Sequence, residues 1–352
     1  MNICANFVIY KDSKVTLLRN FWLICFVVVW FTPLHADVLF ENPSSMEIEL
    51  TGPMWSLVEN KEERKEWPFK LRSEGVELDL KIRARGNSRM RVCDFPPLRF
   101  NFKTADTVGT SFEGQDKLKL VTRCKKGDRS ESDVLEEYAA YRIFSLWSEV
   151  SFRVQLVHTT NSDTDGRLKE SLKSSYGFLI EPLEQMVSRV NGSLSAVPAV
   201  SLAQLDQKQA ALVYVFQYLI GNTDWSFVTA ENDEYCCHNI KLIKIGSKLF
   251  PVPYDFDLSG IVNASYARPD PSLRISKVVT RRYRGFCTDK EILREALSDI
   301  TARENDVLDI INGLPMLTDK DKQKKISYLE NFFRKADDKD KMISLFEKSC
   351  HS

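Results

Sequence analysis

The sequence is short of several things, and each shortage narrows the reading. It has no net charge: 49 Lys and Arg balance 49 Asp and Glu, so the chain carries no broad field of the kind that gathers nucleic acid, and no nucleic-acid partner is expected. It has no internal repeat and no low-complexity tract, and with 43% hydrophobic residues over 352 positions it can bury a full core, which sets disorder aside. It also lacks an uninterrupted apolar run of the roughly 20 residues that span a bilayer. The nearest approach is "FWLICFVVVWFT" at 21–32, preceded by Lys11, Lys14 and Arg19 and followed by "PLHAD". Leu34 and Ala36 there make a small-residue processing pattern, which predicts a secretory signal peptide over 1–36, cleaved after Ala36. The mature protein is then periplasmic, secreted or at the cell surface. An uncleaved anchor is the alternative reading of this segment, and it is the sole route to a membrane partner.

No C-x-x-C pair is present, which argues against the common zinc sites. Outside the leading segment, which takes Cys4 and Cys25, six cysteines remain: Cys93, Cys124, Cys236, Cys237, Cys287 and Cys350. An even set in an exported chain predicts disulfides. Cys93 with Cys124, and Cys287 with Cys236 or Cys237, are the expected pairs. A zinc site built on Cys236, Cys237, His238 and Cys287 is the alternative, disfavoured because adjacent cysteines rarely ligate one ion.

What is present reads as α+β. From 46 to 124, short β-type runs alternate with turns: "MEIEL", "WPFKLRS", "VELDLKIRARG", "PPLRFNFK" and "KLKLVTRC", an antiparallel sheet. Val76, Leu78, Leu80 and Ile82 alternate with polar neighbours, the period of a strand with one face buried. A helix is expected over 131–147, capped near Ser132, then strands in "FRVQLVHTT" and "YGFLIE". A second helix, Leu202 to Ile220, is apolar nearly all round in its latter half and belongs inside the core; Gly221 stops it. Four short amphipathic helices follow from about Asp289, with "TDKDKQKK" and "KADDKDK" as charged connections between them.

The chemistry gathers around "PVPYDFDLSG" at 251–260. Counting outward from Gly246 along "IKLIKIGSKLFPVP", the two hairpin arms are of equal length, so antiparallel pairing brings Asn239 close to Asp255 at the open end. The core helix delivers Asn222 and Asp224 just before that hairpin. Asp224, Asn239 and Asp255 thus converge, with Asp257 beside them. Such a set suits Mg²⁺, which takes one or two carboxylates, an amide oxygen, waters and nucleotide phosphates. One Asp stays free of metal and takes the proton of an attacking hydroxyl, the division of labour of phosphoryl transfer. The alternatives are an ordinary turn or helix cap at Asp257-Leu258-Ser259-Gly260, or a D-x-D pair serving a sugar nucleotide.

In this order the residues resemble the CotH-type atypical kinases, related to spore coat protein H, a family with a divergent, two-lobed protein-kinase-like fold. The resemblance runs through "IRARGNSR", "KLKLVTRCKKGDRSESDVLEEYAAYRIF", "YGFLIEP", "GNTDWS", "HNIKL" and "PYDFDLSG", roughly 80–265. It implies an N-terminal antiparallel-sheet lobe over 37–182 with one helix, and a mainly helical lobe over 183–352. It implies ATP with Mg²⁺ or Mn²⁺ as cofactors, a nucleotide partner and a protein acceptor. By position, Asp224 resembles the catalytic-loop Asp, Asn239 a metal-binding Asn, and Asp255 the metal Asp, with Asp257 its neighbour. Lys119, with Lys117 second, is the candidate for the phosphates, and Glu137 for pairing with that lysine. "RARGNSR" resembles a nucleotide-covering loop, with Gly86 for backbone approach and Arg85 or Arg89 facing phosphate. Glu181 falls where the lobes join, near the adenine. An outward strand lysine and a charged hairpin turn are the plainer readings of Lys119 and of that loop.

The chain departs from the kinase pattern in having no G-x-G-x-x-G and no H-R-D. Asp224 and Asn239 are also far more than the usual ~5 positions apart. An insertion carrying Cys236 and Cys237 fills the gap, which makes Asn232 a second candidate for the metal Asn. Kinase-like folds also transfer AMP, or serve as inactive surface modules, and resemblance does not choose among these.

Overall fold

In the first half of the chain, β-strands whose alternate residues are apolar wrap around a core of their own. The computed structural model describes residues 38–42, 44–227 and 235–351; the leading segment 1–36, with its signal-peptide reading, and Asn232 lie outside the described residues. After helix α1 (Val38–Glu41) come β1 (Met46–Gly52), α2 (Met54–Glu59), β2 (Trp67–Ser73), β3 (Val76–Ala84), α3 (Ser88–Val92), β4 (Leu98–Phe102) and β5 (Lys117–Val121). Then follow α4 (Asp128–Phe144), β6 (Val154–Asp163) and β7 (Ser174–Ile180).

These strands close into a barrel in the order β1-β2-β3-β4-β5-β7-β6, sealed by a parallel pairing of β1 with β6. Period-two alternation places Leu80 opposite Phe102, Ile82 opposite Phe100, and Leu98 between Ala84 and Leu120, all buried inside. The expected antiparallel sheet is thus corrected in one respect, a parallel seam of β1 with β6 that closes it and removes both edges; the seam joins strands more than a hundred residues apart, which no local periodicity encodes. The single helix expected in 37–182 is corrected too, because α1, α2 and α3 accompany α4.

The remainder continues through α5 (Leu183–Arg189), β8 (Ser193–Ser195), α6 (Gln207–Leu219), β9 (Ile240–Ile245) and β10 (Lys248–Pro253). It ends in α7 (Lys290–Thr301), α8 (Glu304–Asn312), α9 (Asp319–Ala336) and α10 (Lys339–Glu347). Strands β10, β9 and β8 form a small separate sheet. Helix α6 is buried on nearly every side, as its all-round apolar sequence requires, and starts at Asp206, whose side chain accepts from Gln209 N at 2.9 Å. "TDKDKQKK" is not a connection but the opening of α9: Thr318 caps it, and Asp319 and Asp321 face the positive end of the helix dipole. The described residues pack as one compact unit, mixed α+β.

Disulfides join Cys93 to Cys124, Cys236 to Cys237 and Cys287 to Cys350. The first agrees with the sequence; the expected link from Cys287 to the vicinal pair does not form, because the chain end returns to lie beside 286–287. With these sulfurs in disulfides, the zinc alternative has no thiolates to offer, and among the described residues no group of three His, Cys, Asp or Glu could hold a metal. Disulfides suit an oxidising compartment. Among the described residues no helix is long and apolar enough to cross a membrane.

Candidate active site

The loop after α6 is pinned before it presents its carboxylate. Buried Asn222 accepts Asp224 N at its Oδ1 (2.9 Å) and Trp225 Nε1 at its carbonyl (3.1 Å), and Trp225 is itself buried against Tyr214. Asp224 therefore leaves the loop in one direction. Its Oδ1 lies 3.0 Å from His238 Nε2, and its Oδ2 accepts Asn239 Nδ2 at 3.0 Å. His238, which the sequence suggests only as a zinc ligand, is thus a support of the acid; its sole signal was its place beside Asn239.

The hairpin has arms of equal length. Ile245 opposes Lys248 across Gly246 and Ser247, with Gly246 at φ +59, and Ile240 opposes Pro253 at the other end. One step further, Tyr254 N donates to Asn239 O at 3.1 Å, so Asp255 follows directly beyond the arm that faces Asn239. Asn239 and Asp255 both adopt left-handed backbone, at φ 53 and 63, a conformation that Asn and Asp tolerate better than most residues. Asn239 Nδ2 also donates to Asp224 O at 2.8 Å, which turns its Oδ1 away from Asp224.

Asp255 and Asp257 flank Phe256, a buried plug between Tyr141 of α4 (ring centroids 4.7 Å) and Phe216 of α6 (5.5 Å). Asp255 N donates to Tyr141 Oη at 2.9 Å, and Tyr266 Oη donates to Asp257 at 2.9 Å. Two backbone bonds, Gly260 N to Gly221 O (3.0 Å) and Ile261 N to Ile220 O (2.9 Å), tie this turn to the Asp224 loop. The two acidic segments are thus one rigid piece.

Arg85, Gly86, Arg89, Lys119 and Glu137 line a narrow cleft of about 90 Å³ together with Asp255. The stretch "RARGNSR" is a strand end, a loop and the short α3, not a hairpin turn; Gly86 sits at φ +101, where a side chain would be strained. Glu137 does not pair with Lys119. Its partner is Arg89, with Nη1 3.2 Å from Oε2, because α3 folds this guanidinium inward over α4, where Arg89 also donates to Thr122 O at 2.9 Å. Lys119 stays on the cleft wall and Lys117 points to solvent beside Asp116. Glu181 is not among the lining residues: its carboxylate is held by Arg189 at 2.8 and 2.9 Å, and Ile180 takes the place on the wall.

Charge is concentrated here. Burial pushes the Glu137 carboxyl up to about 8, with Arg89 opposing and Asp257 and Asp255 adding to the rise. Burial and then Asp255 push Asp257 up to about 7. On the other wall, burial followed by Arg85 and Lys241 brings the Lys119 ammonium down to about 8, and burial lowers Arg85 while Asp255 opposes. A basic wall thus confronts an acidic one. Of the acidic-segment candidates only Asp255 lines the cleft, while Asp224, Asn239 and Asp257 lie outside its lining; a carboxylate with an amide oxygen nearby is the donor chemistry that a hard divalent ion takes, with water and phosphate completing its shell. Asp257, engaged by Tyr266, is a neighbour of that set.

No protein-family model matches the chain, and no curated protein matches it. Among solved structures, the chain is similar to the crystal structure of the Helicobacter pylori proinflammatory kinase CtkA, with 11% identity and a TM-score of 0.37, over 72% of this chain and 90% of that one.

Proposed function

We propose that the chain is an exported phosphotransferase on a divergent, two-lobed kinase-like fold of CotH type, passing the γ-phosphate of ATP to a hydroxyl of a protein. The observation that carries this reading is the cleft itself, lined by Lys119 and Arg85 together with Asp255, whose turn two backbone bonds tie to the loop of Asp224, itself held by His238 and Asn239. Lys119 and Arg85 bind the phosphate oxygens, and a phosphate restores to Lys119 the charge that burial, and then its cationic neighbours, disfavour. Gly86 lets backbone approach the nucleotide. Asp255 and Asn239 would hold Mg²⁺ or Mn²⁺, which when bound neutralises charge on the phosphates.

Asp224 orients the acceptor. Its carboxylate is about one third exposed (35%), enough to meet a hydroxyl from solvent, while two hydrogen bonds fix its rotamer. The acceptor oxygen forms a bond to the γ-phosphorus, the bond to the β–γ bridging oxygen breaks, ADP leaves, and the hydroxyl proton passes to Asp224.

Incubation with γ-labelled and, separately, α-labelled ATP in the presence of Mg²⁺ or Mn²⁺ tests the reaction. Label on protein from γ-ATP alone is expected. Label from α-ATP would make the chain an AMP transferase, and no label together with no thermal shift by the nucleotide would make it a binding module.

A further inference from the structure

The outer face of the barrel is electrically uneven. At one end of β2 and β3, opposite charges oppose one another: Lys70 lies 2.6 Å from Glu77 and 3.4 Å from Asp79, and Arg72 lies 2.9 Å from Glu77 and 3.4 Å from Glu49. At the other end, Arg83 of β3 is directly opposite Arg99 of β4, which is directly opposite Lys119 of β5. The inward residues Ile82, Ala84, Leu98, Phe100, Leu118 and Leu120 are buried, so these three cations share the outer face. Like charges directly opposite disfavour a sheet. Among the described residues none of the three makes an ion pair within 4.0 Å. The one acid close to Arg83, Glu66, is already engaged by Asn101 Nδ2 at 2.9 and 3.1 Å.

Lys119 lines the cleft, whereas Arg83 and Arg99 stand outside it. A triphosphate in the cleft therefore leaves the two arginines unmatched. With strands ~4.8 Å apart, the row is about 10 Å long and leads from the cleft across the barrel. Two acidic side chains on one face of an extended segment, two positions and ~6.6 Å apart, match the neighbouring pair Arg83 and Arg99.

We propose that the Arg83–Arg99 row is a docking surface for an acidic peptide segment of the acceptor protein, lying beside the nucleotide cleft. The proposal rests on the phosphotransfer reading for its purpose, and on the register for its place. Arg83 carries the mark of crowding: burial and then Arg99 lower its affinity for the proton. A short row on a chain of zero net charge suits a local acidic segment better than a nucleic-acid backbone, which needs a long basic track.

The test is fluorescence anisotropy of labelled octaglutamate, with octalysine and a dT oligonucleotide alongside, on the wild-type chain and on the double variant Arg83→Gln/Arg99→Gln. Removing like charges leaves the barrel folded, which thermal unfolding checks. The wild type should bind octaglutamate in a salt-sensitive way, the variant should bind about tenfold or more weakly, and the thermal shift with ATP and Mg²⁺ should be equal in both. No octaglutamate binding, equal binding by the two proteins, or tighter arginine-dependent binding of the oligonucleotide overturns the proposal. Arginine-dependent octaglutamate binding with no nucleotide shift in either protein upholds the surface and removes the phosphotransfer reading.

Discussion

Arg89 and Glu137 meet at 3.2 Å with their side chains 10% and 2% exposed, and this buried pair joins helix α3 to helix α4. It occupies the middle of the candidate site and touches both walls: Glu137 lies within the field of Asp255 and Asp257, and Arg89 within the field of Arg85.

Arg89→Met should therefore be among the most destabilising single changes. Breaking a buried pair from one side costs about 3–5 kcal/mol, and the low end is expected because Glu137, already raised to about 8, takes up a proton rather than remain charged. Adding Glu137→Leu should recover most of the loss. Urea unfolding measures both; a single variant within ~0.5 kcal/mol of wild type would show that the pair is not formed in solution.

Stability without divalent ions should fall as pH rises from about 5 to about 8. Glu137 (about 8), Asp257 (about 7) and Glu136 (about 7) all bind their protons more tightly folded than their ordinary values of 4.5, 3.8 and 4.5. Their stabilisation is thus complete below the unfolded values and lost as pH passes through the folded ones. Carboxylates shifted the other way, such as Glu77 and Asp163, act below about 4 and leave this window untouched. Mg²⁺ should flatten the slope. A thermal-unfolding series that rises between pH 5 and 8 would contradict the assignment.

Gly260→Ala should cost about 1–3 kcal/mol by overpacking. A methyl there falls inside contact distance of Tyr328 Oη, and that ring is clamped by Arg281 stacked 3.8 Å from its centroid. Tyr328→Phe in the same chain should return part of the loss. Thermal unfolding decides: no change in Tm for Gly260→Ala would mean that α9 packs less closely on the acidic turn than described.

Much of this site was legible because it depends on short-range order. Equal hairpin arms put Asn239 beside Tyr254, and the apolar second half of α6 identified a core helix ending at Gly221. What escaped depended on contacts distant in sequence. The pairing of Glu137 with Arg89 is hidden because α3, which carries Arg89 inward, has only five residues and no periodic signal. Glu181 has the sequence context of a cleft residue, but Arg189, at the far end of α5 and about two turns away, takes its carboxylate. The barrel seam and the bond from Cys287 to Cys350 each join segments whose proximity only the folded chain sets. The charged run at 318–325 has the composition of a solvated connection, and its helix shows only through the cap at Thr318 and the apolar residues Ile326, Leu329 and Phe332 that follow it.

The central claim is that Asp255 serves transfer and not folding. Its measurement is γ-phosphate transfer from labelled ATP with Mg²⁺ by the wild-type chain and by Asp255→Ala, with thermal unfolding of both. The variant should unfold within a few degrees of wild type and lose transfer by ~10²-fold or more. A folded Asp255→Ala protein that transfers label as fast as wild type would contradict the assignment of the cleft.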